Sequence, residues 1–230
     1  MIPQESLRRS REVGKRNPNA SLRVAARFLC GSAGFWRNRT FFVTARRIDV
    51  QMKAQIMDEA AVFRALMRIA HEIEERNSSC SELCLVGICR RGVPLAQQIA
   101  QNIRSFSKIQ IYVGGLDISN HRDDGRISQN GNGTEINFSV EGRTVVLVDD
   151  VICTGRTIRA AMDALMEHGR PACIQLAVLI DRGHRELPIR GDYVGKNVPT
   201  ARSEIVRVCL PGFDESTGVR IYCRTDGKTD

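Results

Sequence analysis

Two adjacent carboxylates, Asp149 and Asp150, follow the apolar run Val145-Val146-Leu147-Val148, and a Thr-Gly-Arg-Thr loop follows them at residues 154–157. The two halves suit opposite chemistries. A glycine-containing loop that enters a helix turns backbone N–H groups and the helix dipole toward an anion. Thr154 and Thr157 add hydroxyl donors, Gly155 lets backbone approach closely, and Arg156 is available as a charged donor. A phosphate fits there. The aspartates repel such a group, but carboxylates are good acceptors for vicinal hydroxyls. A sugar diol beside a phosphate satisfies both halves, which describes a ribose 5-phosphate. The competing nucleotide signatures are missing: the chain has no GxxxxGK[ST], and no GxGxxG follows a strand pattern. The plainer alternative is a strand ending in a solvated aspartate pair before an ordinary helix cap.

These groups need a scaffold, and the flanking sequence supplies one. Val145–Val148 reads as a parallel strand buried on both faces. Thr157–Gly169 reads as a helix with Ile158, Ala161, Met162 and Leu165 as its core stripe; Gly169 caps it and Pro171 lies just beyond. The carboxylates and the loop then occupy the C-terminal end of a strand, where open α/β sheets bind ligands. Upstream, Val62, Leu66, Ile69 and Ile73 recur at helical spacing over 58–76, with Asp58 and Glu59 at the start. Arg64, Arg68, His71 and Glu75 fall on the opposite face, which from periodicity alone is a solvated surface. Leu83–Ile88 is a buried strand. Cys89-Arg90-Arg91-Gly92 follows, then a helix from Pro94 to about Arg104 and a strand at 109–113. The polar connection at 117–139 is long enough to be functional or disordered. Cys173–Ile180 is another buried strand, followed by a charged stretch, and short strands near 205–208 and 220–223 close the chain. Alternating strands and helices give an α/β fold with a parallel sheet.

Composition bounds the rest. The chain has 230 residues, 42% of them hydrophobic, enough for one substantial domain. No apolar run approaches the ~18 residues of a membrane helix. Eight cysteines occur without a C-x-x-C pair and with four histidines, a poor pattern for zinc and one that suits a reducing cytosol. Residues 1–50 carry 11 Lys and Arg against three acids, so the whole net charge of +8 belongs to them. Three readings of residues 1–51 stand open: a disordered basic arm, an Arg-rich transit peptide, or translation from a start upstream of Met52. The third is favoured, because organised periodicity begins just after Met52. The domain expected is 52–230.

VVLVDDVICTGRT, Val145–Thr157, resembles the phosphoribosyl pyrophosphate (PRPP) motif of type I phosphoribosyltransferases. AHEIEERN, LVGICRRGVPLAQQIA and GRPACIQLAVLIDRGHRELPIRGDYVGKNVPT extend the resemblance, in order, to the pyrimidine operon attenuation (PyrR) family across nearly all of 52–210. The resemblance implies a type I phosphoribosyltransferase fold with a small hood. It implies two activities: UMP-dependent binding of pyrimidine leader mRNA, which attenuates transcription, and formation of UMP and pyrophosphate from uracil and PRPP. By the same resemblance Asp149 and Asp150 hold the ribose hydroxyls. Val151, Cys153, Thr154, Gly155, Arg156 and Thr157 form the nucleotide loop, its 154–157 portion on the 5-phosphate. Arg91, with Arg90 beside it, meets pyrophosphate, and Mg2+ arrives on the PRPP with no protein metal ligand. Arg122 and Asp123 belong to a mobile loop that closes on substrate, and Asp181 and Arg182 to the hood over the base. No general base is implied. The RNA face would use Arg68 and His71 with His184, Arg185, Arg190 and Lys196, and a homodimer or higher homo-oligomer is expected.

The sequence departs from the family pattern at three places. Cys89 and Arg90 are unusual beside Arg91, Arg90 adding a cation near the phosphates. Ser119-Asn120-His121 stands where Thr-Leu-Tyr is common, which bears on loop closure. Met67 interrupts the RNA face. Two rivals follow: a salvage phosphoribosyltransferase for uracil or a purine with no RNA role, and an RNA regulator that keeps the pocket only as a sensor. Turnover of hypoxanthine or guanine would favour the first; uracil-dependent pyrophosphate release would dismiss the second.

Overall fold

In the computed structural model, residues 50–123 and 133–224 are described; they belong to one unit, Arg46–Asp230. The readings of the basic N-terminal segment concern residues 1–51, of which all but Val50 and Gln51 lie outside the described residues. Five parallel strands form the central sheet in the order β3-β2-β4-β5-β6: β2 (Glu82–Ile88), β3 (Gln110–Leu116), β4 (Thr144–Ile152), β5 (Cys173–Asp181) and β6 (Tyr193–Asn197). Helices α1 (Glu59–Arg76), α2 (Gly92–Phe106) and α3 (Arg156–Met166) alternate with them. A second, antiparallel sheet, β1-β8-β7, is built from β1 (Val50–Met57), β7 (Glu204–Cys209) and β8 (Gly218–Arg224).

Strand alternation divides the core into two layers. Leu83, Leu85, Val146, Val148, Ala177 and Leu179 face α1, α2 and the inner side of the small sheet. Cys84, Val86, Val145, Leu147, Leu176 and Val178 face α3. Burial on both sides explains why β2, β4 and β5 are near-continuous aliphatic runs. α1 begins where the acidic pair indicated: Asp58 is its N-cap, accepting from the Ala61 N–H at 2.7 Å.

Several boundaries move. β1 begins at Val50, two residues before the expected domain start, and pairs with β8 from Val50↔Arg224 onward. β6, inside the charged stretch after β5, was not expected; its outer residues are exposed, so it lacks the apolar signature of its neighbours. α2 starts at Gly92 and runs to Phe106, and α3 ends at Met166, short of Gly169. The seven described cysteines are unpaired, and no group of three metal-binding side chains occurs among the described residues. No described helix is long and apolar enough to cross a membrane.

Candidate active site

β4 continues through both carboxylates to Ile152, so Asp149 and Asp150 belong to the strand end rather than to the loop beyond it, and their side chains lie close enough to share a hydrogen bond. Asp149 is 7% exposed. Burial pushes its carboxyl well above the usual carboxylate range, repulsion from Asp150 adds to this, and the positive charge of Arg122 works against it. Burial also raises Asp150, against the Val151 N–H at 2.8 Å and the charge of Arg91. Two arginines from separate loops thus act electrostatically on one buried acid pair.

Close packing brings Arg91 there. It precedes Gly92, the first residue of α2, and a Cβ on Gly92 would lie 2.3 Å from the Val148 carbonyl oxygen. Only glycine lets the start of α2 lie this near β4. The Cys89–Arg90 peptide in the same turn is cis. The Arg91 Nη2 donates to Asp214 Oδ2 at 3.0 Å, while its Nε is buried with no hydrogen-bond partner. Arg90 is exposed.

The 153–157 loop is held from the far side by the segment after β5. The Thr154 carbonyl accepts from Glu186 and Leu187 N–H, both at 3.0 Å, and the Cys153 carbonyl accepts from Arg185 at 2.7 Å. Gly155 has φ +93°, and a Cβ there would press on Leu187 at 3.3 Å. α3 starts on this glycine without a side-chain cap, which leaves its first turn facing the aspartates as an anion site. Thr154 Oγ1 accepts from Arg156 N–H at 3.3 Å, and Thr157 lies half-buried in the first turn. The Arg156 guanidinium, expected as a phosphate donor, is taken by two carboxylates: Asp123, and Glu186 at 2.7 Å. It links the loop carrying Arg122 and Asp123 to the hood segment. Residues 124–132 of that loop lie outside the described residues.

The hood residues are internally engaged. Asp181 pairs with Arg185 and accepts from Gly183 N–H. Arg182 donates to Thr200 Oγ1 and to the Ala201 and Glu204 carbonyls at 2.9–3.2 Å, clamping the turn into β7.

The six residues of the expected RNA face divide. Arg68 is spent on Glu72 and on the Val194 and Gly195 carbonyls. Lys196 donates to the Ile56 carbonyl at 3.3 Å. His184, at φ +61°, contacts the Thr200 carbonyl at 2.6 Å, and Arg185 is the brace just described. His71 is exposed and stacks on Phe106 with ring centroids 4.0 Å apart. Arg190 is exposed and has no hydrogen-bond partner among the described residues. Sequence reasoning missed Glu186 and Asp214. Their contacts cross 30 and 123 positions respectively, and nothing local marks either.

This arrangement, buried paired acids at a strand end beside an uncapped helix N-terminus, is that of a phosphoribosyltransferase domain, and the model of that family, described as phosphoribosyl transferase domain, matches residues 52–211. A hypoxanthine-guanine phosphoribosyltransferase from Bacillus anthracis superposes with a TM-score of 0.58, covering 76% of this chain and 99% of that one; at 18% identity the likeness establishes the fold. Sequence narrows the class. The bifunctional protein PyrR of Acetivibrio thermocellus is 58% identical over 165 residues, 70% of this chain and 90% of that protein. That of Clostridioides difficile is 53% identical over 172 residues, 74% and 97%. The chain belongs to the PyrR family.

Proposed function

We propose that the chain makes UMP and pyrophosphate from uracil and PRPP, and that UMP in the same pocket promotes its binding to pyrimidine leader RNA. Family membership makes the chain a pyrimidine regulator with phosphoribosyltransferase activity. The choice of uracil, the RNA contacts and the residue roles are our assignment. The observation that carries it is the Asp149–Asp150 pair, the first buried and the second half-buried, under the charges of Arg122 and Arg91 and a few residues before the uncapped N-terminus of α3.

In this reading the aspartates accept from the ribose 2- and 3-hydroxyls, and the N–H groups of 154–157 hold the 5-phosphate. Arg91 neutralises charge on the departing pyrophosphate as the C1–oxygen bond breaks and the bond from C1 to uracil N1 forms, the N1 proton passing to solvent or to the released pyrophosphate. Magnesium, carried by the PRPP rather than by protein ligands, would supply further neutralisation of the pyrophosphate. With a good leaving group, positioning and electrostatics account for the catalysis. The Arg156 link to Asp123 and Glu186 holds the loop against the hood, where water exclusion protects an oxocarbenium-like transition state from hydrolysis.

A panel of bases tests the enzyme half. Uracil should release pyrophosphate from PRPP, and hypoxanthine and guanine should not; purine turnover, or none with uracil, contradicts the assignment.

A further inference from the structure

We infer that Asp214 is a positioning residue that aims Arg91 at pyrophosphate. The inference rests on the proposed role of Arg91. Asp214 belongs to the turn between β7 and β8, in the small antiparallel sheet rather than the central one that carries β4. Its side chain is only 9% exposed and is held from three directions: by Arg91 at 3.0 Å, by Arg207 at 2.8 Å, and by the Leu210 N–H at 3.2 Å. Its own N–H closes the turn onto the Leu210 carbonyl at 3.0 Å. Phe213 places its ring 5.8 Å from the Arg91 guanidinium. An acid built in so firmly is a fixed anchor. The arginine it holds ends the three-residue turn, 89–91, between β2 and α2.

The contact geometry indicates aiming rather than simple pairing. A guanidinium carries five N–H donors in a rigid fork. Asp214 takes Nη2 alone. The buried Nε has no partner, and the net positive charge is felt at Asp150 on the other side. Asp214 therefore fixes one nitrogen of the fork, while Nη1, without a hydrogen bond among the described residues, remains able to donate to a departing pyrophosphate. A carboxylate that gripped both nitrogens would compete with that anion; one that grips a single nitrogen orients the arginine and leaves donors over. The β7–β8 turn thus sets the phosphate side of the reaction.

The test measures binding of magnesium pyrophosphate and, separately, of UMP to the 230-residue chain by calorimetry, with steady-state KM values for PRPP and uracil. UMP lacks the pyrophosphate and reports on the rest of the pocket. Asp214→Asn should weaken magnesium pyrophosphate by about tenfold, the size expected for one charge-assisted hydrogen bond, and raise the KM for PRPP alike. UMP affinity and the KM for uracil should stay within about twofold. Asp214→Glu should recover most of the loss. Arg207→Ala, which removes the second anchor without touching Arg91, should shift pyrophosphate in the same direction by less, and it carries the test if Asp214→Asn does not fold. Parallel loss of UMP and pyrophosphate would reduce Asp214 to a support of its own turn and overturn the inference. Unchanged pyrophosphate binding in Asp214→Asn, with loss in Arg91→Ala, would overturn it while leaving the role of Arg91 intact. Equal pyrophosphate binding by the wild type and Arg91→Ala would overturn both.

Discussion

The strand-end cleft and the expected RNA face are both rich in charge, yet the structure uses their charges in different ways. In the cleft, buried Asp149 and half-buried Asp150 lie beside each other with raised proton affinity, and Arg122 and Arg91 oppose that shift. Nothing in folding favours such an arrangement; burial of like charges is retained where a ligand uses it. On the RNA face, four of six candidate residues already have internal partners: Arg68 on β6, Lys196 on β1, and His184 and Arg185 within the segment after β5. Of the six, His71 and Arg190 alone make no side-chain hydrogen bond among the described residues. A basic residue is thus a poor guide to a binding surface until its hydrogen bonds are counted, whereas a buried acid pair points to function by its own instability.

The largest expected effect removes one member of the pair. Asp150→Asn should lower uracil turnover on the order of 10²-fold or more, the scale for deleting an electrostatic contact to the reacting group, with RNA affinity in the presence of saturating UMP nearly intact. Equal loss of both activities in a folded variant would erase the distinction between the regions. Next, Arg185→Ala should cost about 2 kcal/mol of stability, read by denaturant unfolding, because a half-buried guanidinium leaves the Asp181 carboxylate and the Cys153, Gly183 and Ile189 carbonyls behind. A stable variant that loses only RNA binding would return Arg185 to the RNA face.

The pH dependence follows the same contrast. A carboxyl raised in the folded state is more stable protonated, so the stability associated with the neutral acid is present below the unfolded pKa and is lost as pH rises through the folded value. Substrate hydroxyls need the ionised acceptors. The value of kcat/KM for PRPP should therefore rise with pH through the raised range and level off above it. Asp150→Asn, which removes the repulsion at Asp149, should move that acidic limb to lower pH; an unmoved limb would mean the pair does not control it. The smallest effects lie on the RNA side. Arg190→Ala should reduce the slope of log affinity against log salt by about 0.7–1 with turnover unchanged. Arg68→Ala should leave the slope alone, since its charge is already matched, and a reduced slope there would show that RNA displaces its internal partners.

How much of this was legible depended on whether the signal was local. β4 and its loop were readable because burial on both faces demands an aliphatic run and the anion site demands its glycine, all within Val145–Thr157. α1 was readable from its 3.6-residue stripe and Asp58 cap. β1 and β6 were not: the first is largely exposed and is specified by β8, more than 160 residues later, and the second is a five-residue strand with exposed outer positions. Among site residues, Arg91 and the aspartates stood inside motifs. Asp214 stood in Pro-Gly-Phe-Asp-Glu-Ser, which reads as an ordinary turn, and its partner is fixed only by the tertiary fold. The same limit hid the internal engagement of Arg68, Arg185 and Lys196.

The central claim is that one pocket serves both activities, the nucleotide made there controlling RNA binding. A gel shift of the 230-residue chain against the leader RNA of its organism's pyrimidine genes, with and without UMP and at two salt concentrations, tests it most directly. The account predicts tighter binding with UMP, confined to the leader sequence and weakened by salt. Binding that is absent, or indifferent to UMP and equal on a scrambled RNA, would contradict it and leave the cleft as that of a salvage enzyme.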